Sequence, residues 1–169
     1  MRGASPFEVR PFEPDARPLP MRYSELTPGR VIECGPATLT EREIVEFARA
    51  YDPQWFHTDP ARAEQGSWGG VIASGWQTCG VAMRMMVDHI LADSEVFGSP
   101  GLAYLKWQNP VRAGDALTLK VEVLDRRTSA SKPSLGVVRW RWTMANQRGE
   151  PVLDLEATNF YDLSARAPA

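Results

Sequence analysis

The chain has 169 residues, of which 43% are hydrophobic and 24% are charged, and its formal net charge is −2. This length and apolar content suit one globular domain with a single core. The near-neutral charge excludes the basic excess of a nucleic-acid-binding protein, and the apolar content excludes a largely disordered chain. We therefore expect no nucleic acid as a partner.

The start of the chain, residues 1–22, is rich in proline and has no apolar run that could form the core of a signal peptide. We expect a loosely ordered arm there, a single domain at residues 23–163 and a tail at residues 164–169. The longest apolar stretch, Trp76 to Leu91, is interrupted by charges and is too short to span a bilayer. The two cysteines form no CxxC motif, which argues against a zinc site or a disulfide scaffold. We expect a cytoplasmic protein with no membrane partner.

The first predicted helix begins at Thr40. Thr40 and Glu43 form a capping-box pattern, and the apolar residues that follow recur at the spacing of one helical face. Pro53 should end this helix at about Asp52, because the residue before a proline disfavours the helical conformation.

A second, short helix is predicted after Asp59. This aspartate and Pro60 have the pattern of a helix cap followed by proline at the first helical position, and Gly66 can close the helix. His57 is then expected in the loop between the two helices.

A long helix, apolar nearly all round, is predicted from Trp76 to Leu91. Few of its positions suit solvent, which is typical of a helix enclosed by other structure.

The second half of the chain predicts an antiparallel sheet, so that the fold class is α+β. Residues 117–123 alternate between apolar and polar, as in a half-buried strand. Turn chemistry at residues 113–115 and 146–149 indicates reversals between strands. The other predicted strands lie near Arg30–Leu39 and at Leu102–Asn109, Leu135–Ala145 and Val152–Leu163.

Three sequence elements together resemble the MaoC-like (R)-specific enoyl-CoA hydratase family, over about residues 23–163. They are Asp52-(four residues)-His57-Thr58-Asp59-Pro60, then Gly70-Val71-Ile72-Ala73-Ser74-Gly75, and then Asn109-Pro110-Val111-Arg112-Ala113-Gly114-Asp115. The resemblance implies the hotdog fold, in which an antiparallel sheet wraps around one long, mostly apolar helix.

The resemblance also implies an activity: the reversible addition of water to a trans-2-enoyl thioester of coenzyme A, as in fatty acid metabolism. Asp52 and His57 are carried over as the pair that activates water, since an imidazole beside a carboxylate can take up and return protons. Gly75 is where the family places a backbone N–H that stabilises negative charge on the thioester oxygen. No metal and no cofactor are expected beyond the coenzyme A that belongs to the substrate.

Four further residues are expected to contact the substrate: Ser74, Trp55, Phe56 and Met83. They include the departures from the family pattern, because many relatives have Asn-Pro-Leu at residues 54–56, His-Gly at residues 74–75 and a serine at the position of Met83. These differences leave the Asp52–His57 pair intact and bear on which acyl group fits.

Simpler interpretations stay open for several residues. Asp52 can be a turn residue at a helix end before proline, and His57 can be a partly buried histidine without a catalytic role. Asp59 is interpreted as a helix cap, and His89 as a residue of the last turn of the long helix. Four cations can each meet coenzyme A phosphates or be ordinary surface residues: Arg62, Arg84, Lys106 and Arg112.

Two other functions also stay open. One is a hotdog thioesterase, in which a carboxylate helps water to attack the thioester carbonyl. The other is a non-catalytic module that binds acyl-CoA or serves assembly. In each case we expect a homodimer or an assembly of dimers, because a sheet around one helix leaves an edge and a face to be covered. The resemblance implies that the catalytic groups lie near the subunit interface.

Overall fold

The computed structural model describes residues 21–164, so that the predicted arm at residues 1–22 and the predicted tail at residues 164–169 lie almost entirely outside the described residues. The strands in the described range are β1 (Val31–Ala37), β2 (Val96–Trp107), β3 (Leu117–Thr128), β4 (Leu135–Ala145) and β5 (Pro151–Asp162). They form one antiparallel sheet in the order β1-β3-β4-β5-β2.

The predicted strands are all confirmed, and β4 has the predicted bounds. The largest difference is in β2, which begins at Val96 rather than at Leu102. The early part of β2 has a broken register against β5, with shifts between Val96 and Gly101. Because glycines and irregular pairing interrupt the apolar alternation there, the sequence pattern does not predict a strand.

The two predicted turns have different roles in the sheet. Residues 146–149 join β4 to β5, which are paired neighbours, as predicted. Residues 113–115 lie between β2 and β3, which run in opposite directions, so the predicted reversal is confirmed; the two strands are not neighbours in the sheet and form no hairpin. A turn does form there, since the Asp115 N–H donates to the Arg112 carbonyl at 3.1 Å. Turn chemistry specifies a local change of direction, whereas long-range pairing decides which strands are neighbours.

The first helix, α1 (Glu41–Tyr51), has the predicted start. The Thr40 hydroxyl accepts from the Glu43 N–H at 3.2 Å, and the Glu43 carboxylate accepts from the Thr40 N–H at 2.7 Å. These bonds satisfy two donors that a helix start leaves unpaired. The helix ends one residue before Asp52.

The prediction that His57 lies in a connecting loop is wrong. The segment forms a single helical turn, α2 (Trp55–Thr58), in which the Asp59 N–H donates to the Trp55 carbonyl at 2.9 Å. Pro53 ends the preceding helix but leaves the residues after it free to begin a new turn. The next helix, α3 (Pro60–Gln65), starts as predicted, with the Asp59 carboxylate accepting from the Arg62 N–H at 3.1 Å.

The long helix consists of α4 (Gly75–Met86) and a π-helical turn at Val87–Leu91. Its buried side packs against one face of the sheet and forms the core with it. The largest core residues shared by the helix and the sheet include Met86, Ile90, Leu117, Leu119, Trp140, Met144 and Leu153. This sheet against one long helix is the predicted α+β hotdog fold.

The sequence predicted a helix enclosed by other structure, but the long helix is exposed along one face. Trp76, Met83 and Val87 lie on one helical face and are 60%, 45% and 38% exposed. The sheet covers one side of the helix, and α1 covers only part of the rest. In residues 21–164 no helix combines the length and the apolar character needed to cross a membrane.

Candidate active site

The predicted acid–base residues meet where three segments converge. Asp52 directly follows α1, and its N–H donates to the Ala48 carbonyl at 2.8 Å. His57 is in α2 and is only 5% exposed. Ser74 and Gly75 form the start of α4. The structure therefore brings together four residues that were predicted from two separate stretches of sequence.

The ring of His57 is held at both nitrogens. Its Nδ1 lies 2.7 Å from the carbonyl oxygen of Ile72, and its Nε2 lies 3.3 Å from Oδ2 of Asp52. A carbonyl oxygen can only accept, so Nδ1 carries the hydrogen. In the neutral ring Nε2 then carries no hydrogen, and its lone pair lies on the side of the ring that faces Asp52. Phe56 packs against the imidazole with 4.4 Å between ring centroids.

The carboxylate of Asp52 accepts a hydrogen bond at each oxygen. The Ser74 hydroxyl donates to Oδ2 at 2.7 Å, and the Gln54 side-chain amide donates to Oδ1 at 2.8 Å. The bond from Ser74 is the main reason why the pKa of Asp52 lies below its usual value; the bond from Gln54 and the nearby His57 act in the same direction, and burial opposes them. Asp52 is therefore ionised at neutral pH.

The start of α4 presents an unpaired N–H group. Gly75 is the first residue of α4, and its N–H has no acceptor within the part of the chain that the structure describes. The Ser74 hydroxyl accepts from the Trp76 N–H at 3.3 Å and so caps the helix. The positive end of the helix dipole adds to the attraction of this N–H for a negatively charged oxygen.

Trp107, at the end of β2, lies directly on Gly75. A Cβ atom at residue 75 would come within 2.6 Å of Cδ2 and 2.8 Å of Cζ2 in the indole. The Trp107 ring also meets Trp76 edge to face, with 5.3 Å between centroids. Glycine at residue 75 is thus required by the packing of this indole, in addition to leaving the N–H accessible.

A cavity of about 330 Å³ opens beside these groups, within the range of small-molecule sites. Its wall is mostly apolar, with His57 and the Gly75 backbone as the polar groups of interest. The other lining residues are Trp68, Ile72, Ala73, Thr78, Trp107, Gln108, Asn109, Pro110, Val111 and Val152.

Three of the residues predicted to contact substrate lie outside the lining of this cavity. Trp55 packs against Gly66 and under the Arg62 guanidinium, Phe56 packs on His57, and Met83 is on the exposed face of α4. None of these three lines the cavity in the described part of the chain. Their contact with substrate stays a prediction, as does that of Ser74, whose hydroxyl is bonded to Asp52.

The four candidate cations for coenzyme A phosphates all contact protein groups. Arg62 lies over the Trp55 ring, Lys106 lies over the Tyr104 ring, Arg84 pairs with Asp88 at 2.7 Å, and Arg112 donates to the Trp68 carbonyl. Arg112 approaches Gly70, close to the cavity-lining Trp68.

Two residues that contact the site, Gln54 and Trp107, were not predicted from the sequence. Gln54 lies in the segment that departs from the family pattern, two residues after Asp52, and that position was the available signal. Trp107 had no such signal, because it is far from Gly75 along the chain and its position depends on where β2 joins the sheet.

Comparisons with known proteins show the family to which the chain belongs. The family model described as "MaoC like domain" matches residues 24–143. The crystal structure of a MaoC-like dehydratase from Rhodospirillum rubrum is similar, with a TM-score of 0.76 and 32% sequence identity, covering 86% of this chain and 97% of that chain. The uncharacterized protein YdeM of Bacillus subtilis (strain 168) is 27% identical over 136 residues, which are 80% of this chain and 95% of that protein.

A third, shorter similarity is to 3-hydroxyacyl-thioester dehydratase Z of Mycobacterium tuberculosis (strain ATCC 25618 / H37Rv). It is 43% identical over 49 residues, which are 28% of this chain and 32% of that protein. Since the family model covers most of the chain, and the Rhodospirillum rubrum structure is similar over nearly its whole length, this chain belongs to the MaoC-like dehydratase family.

Proposed function

We propose that this protein is a hydro-lyase that adds water reversibly to a trans-2-enoyl thioester of coenzyme A. The observation that carries the proposal is the pair of acceptors formed by Asp52 Oδ2 and His57 Nε2, 3.3 Å apart, in a site that also holds the unpaired Gly75 N–H. Family membership supports it. So does the similarity to a protein named 3-hydroxyacyl-thioester dehydratase, because a 3-hydroxyacyl thioester is the product of this hydration.

The two acceptors suit a water molecule, which can donate one hydrogen to each. His57 is the better base of the two. Imidazole is the commoner general base in proteins, and the lowered pKa of Asp52 makes its carboxylate a weak base. Nε2 of His57 takes a proton from water while the water oxygen bonds to the β-carbon of the enoyl group.

The electron pair of the double bond then moves towards the thioester, and negative charge gathers on the carbonyl oxygen. The Gly75 N–H at the start of α4 stabilises this charge. The proton held on Nε2 of His57 passes to the α-carbon, which completes a 3-hydroxyacyl thioester and restores the neutral ring. Dehydration follows the same steps in reverse.

No redox change occurs in this reaction, and proton transfer with charge stabilisation is sufficient for it. We therefore propose that no metal or other cofactor takes part, apart from the coenzyme A portion of the substrate.

The test measures the absorbance of crotonyl-CoA as it is consumed. Asp52→Asn and His57→Gln are expected to lower kcat about 10²- to 10⁴-fold with little change in KM, because acid–base groups act mainly on the transition state. Asp59→Asn is the matched control: this carboxylate caps α3 at the other end of the same segment and should leave kcat at the wild-type level.

Equal rates in wild type and both site variants would contradict the proposal. Release of a free thiol in place of alkene consumption would favour a thioesterase. Binding of coenzyme A esters without turnover of any tested ester would favour a non-catalytic module.

We also propose that two copies of the chain associate. Among the strands of residues 21–164, β2 is an edge strand that pairs with β5 alone, and Leu102 on it is 49% exposed. Leu102 is opposite Ala157, a core residue, so it lies on the face of the sheet that the long helix occupies. The exposed helical face of Trp76, Met83 and Val87 belongs to that same helix. A second copy would cover this apolar surface and the free edge together.

A further inference from the structure

Ser74 is completely buried, and both its hydroxyl and its carbonyl are hydrogen-bonded. Its hydroxyl donates to Asp52 Oδ2 at 2.7 Å and accepts from the Trp76 N–H at 3.3 Å. Its carbonyl accepts from the N–H and the hydroxyl of Thr78, at 3.0 and 3.3 Å. A serine hydroxyl has a single hydrogen, and here that hydrogen goes to Asp52. Ser74 therefore has no donor left for a substrate.

We propose that Ser74 is a positioning residue, which acts on the hydration through Asp52 and does not contact the substrate. The inference rests on the proposed function. The oxygen that Ser74 holds, Oδ2, is the one that lies 3.3 Å from His57 Nε2. Gln54 holds the other oxygen, so the plane of the carboxylate is restrained at both ends. Ser74 thus fixes Oδ2 opposite the base.

The same hydroxyl connects the carboxylate to the end of α4. Gly75 lies between Ser74 and Trp76, the two residues that the cap joins. The direction of the Gly75 N–H therefore depends on the same side chain that orients Asp52. One hydroxyl sets the distance between the water-activating pair, which belongs to the segment at residues 52–57, and the N–H that stabilises the thioester oxygen.

The bond also lowers the pKa of Asp52. A donor to a carboxylate favours the ionised form, and Ser74 is the largest cause of the lowered pKa of Asp52. Burial raises the pKa of Asp52, and without the Ser74 hydroxyl less remains to offset it, so the pKa of Asp52 should rise. A residue that served only as a helix cap would have no such effect.

The test compares Ser74→Ala with Ser74→Thr, which keeps a hydroxyl. In Ser74→Ala, kcat for crotonyl-CoA is expected to fall about ten- to a hundredfold with KM nearly unchanged, as for a lost hydrogen bond to a charged group. ¹³C NMR titration of the Asp52 carboxyl should show a higher pKa. Ser74→Thr should recover much of both properties.

Thr40→Ala is the matched control, because the Thr40 hydroxyl also caps a helix and also donates to a carboxylate, that of Glu43. It should destabilise the fold through the loss of a helix cap and leave kcat and the Asp52 titration unchanged. If Ser74→Ala does not fold, Ser74→Cys, with its weak S–H donor, gives the same comparison with Ser74→Thr.

The outcomes separate this inference from the proposed function. An active wild type together with a folded Ser74→Ala variant of wild-type kcat and unchanged Asp52 pKa overturns the positioning role and leaves the hydratase proposal standing. A folded wild type that consumes no enoyl-CoA overturns the hydratase proposal and with it a role in hydration, while the NMR titration still decides whether Ser74 controls the ionisation of Asp52.

Discussion

The backbone carbonyl of Ile72 accepts a hydrogen bond from Nδ1 of His57 at 2.7 Å. Because a carbonyl has no hydrogen to give, this contact decides which ring nitrogen is free to act as a base. Ile72 lies in the segment that leads into α4, so the stretch of chain that supplies the Gly75 N–H also sets the tautomer of the imidazole.

The first prediction follows directly. Neutral His57 should be the tautomer with hydrogen on Nδ1, which ¹⁵N–¹H correlation through the ring can measure. The chain has one other histidine, so spectra of a His89→Gln variant assign the signals. A neutral His57 with hydrogen on Nε2 would contradict the proposed direction of proton transfer.

The contact between Gly75 and Trp107 predicts a destabilised variant. Gly75→Ala should lower the free energy of unfolding by about 1–3 kcal/mol, since the new methyl group would overlap the indole. The loss should be much smaller when Trp107 is already alanine. Urea unfolding of the two single variants and the double variant measures this coupling, and an equal loss in both backgrounds would show that the indole is not the cause.

A pair outside the site predicts a pH-dependent stability. Arg141 donates to both oxygens of Asp154 at 3.1 and 3.0 Å, and Tyr104 donates to one of them at 2.9 Å. The bonds from Arg141 are the main reason why the pKa of Asp154 lies below its usual value; burial opposes them.

The pKa of Asp154 is lower in the folded protein than its ordinary value of 3.8. The ionised carboxylate therefore contributes its full share of stability above pH 3.8, and this stability is lost as the pH falls through the lowered pKa. Asp154→Asn should therefore cost about 1 kcal/mol at neutral pH, a modest amount because Arg141 is half exposed and partly screened. The difference from wild type in urea unfolding should narrow under acid conditions, and a difference that does not change with pH would argue against an ionised pair.

The proposed dimer predicts that substitution of two equally exposed residues has different effects on the oligomeric state. Met83, on the long helix, and Val31, on the opposite edge strand β1, are both 45% exposed. Wild type and Val31→Asp should sediment at twice the chain mass of 18.8 kDa, and Met83→Asp should sediment as a single chain. A dimeric Met83→Asp or a monomeric wild type would count against this surface as the interface.

Local signals in the sequence determined the starts of α1 and α3 and most of the strands. The caps at Thr40 and Asp59 act on N–H groups three residues away, so that the interacting atoms are close together in any chain that begins a helix there. The alternation that predicted β4 is likewise a property of neighbouring residues. The Asp52 and His57 pair was carried over from the family resemblance, because both residues stand in one short stretch of sequence that matches the family pattern.

The tertiary structure alone decided the contacts that complete the site. Ser74 meets Asp52 across 22 positions of sequence, and Trp107 meets Gly75 only because β2 pairs with β5 at the sheet edge. The tertiary structure also decided which face of the long helix is exposed. Apolar content predicts that a helix is buried, but it does not predict which of its sides the sheet covers. Such contacts depend on how distant segments pack, and no local pattern encodes that packing.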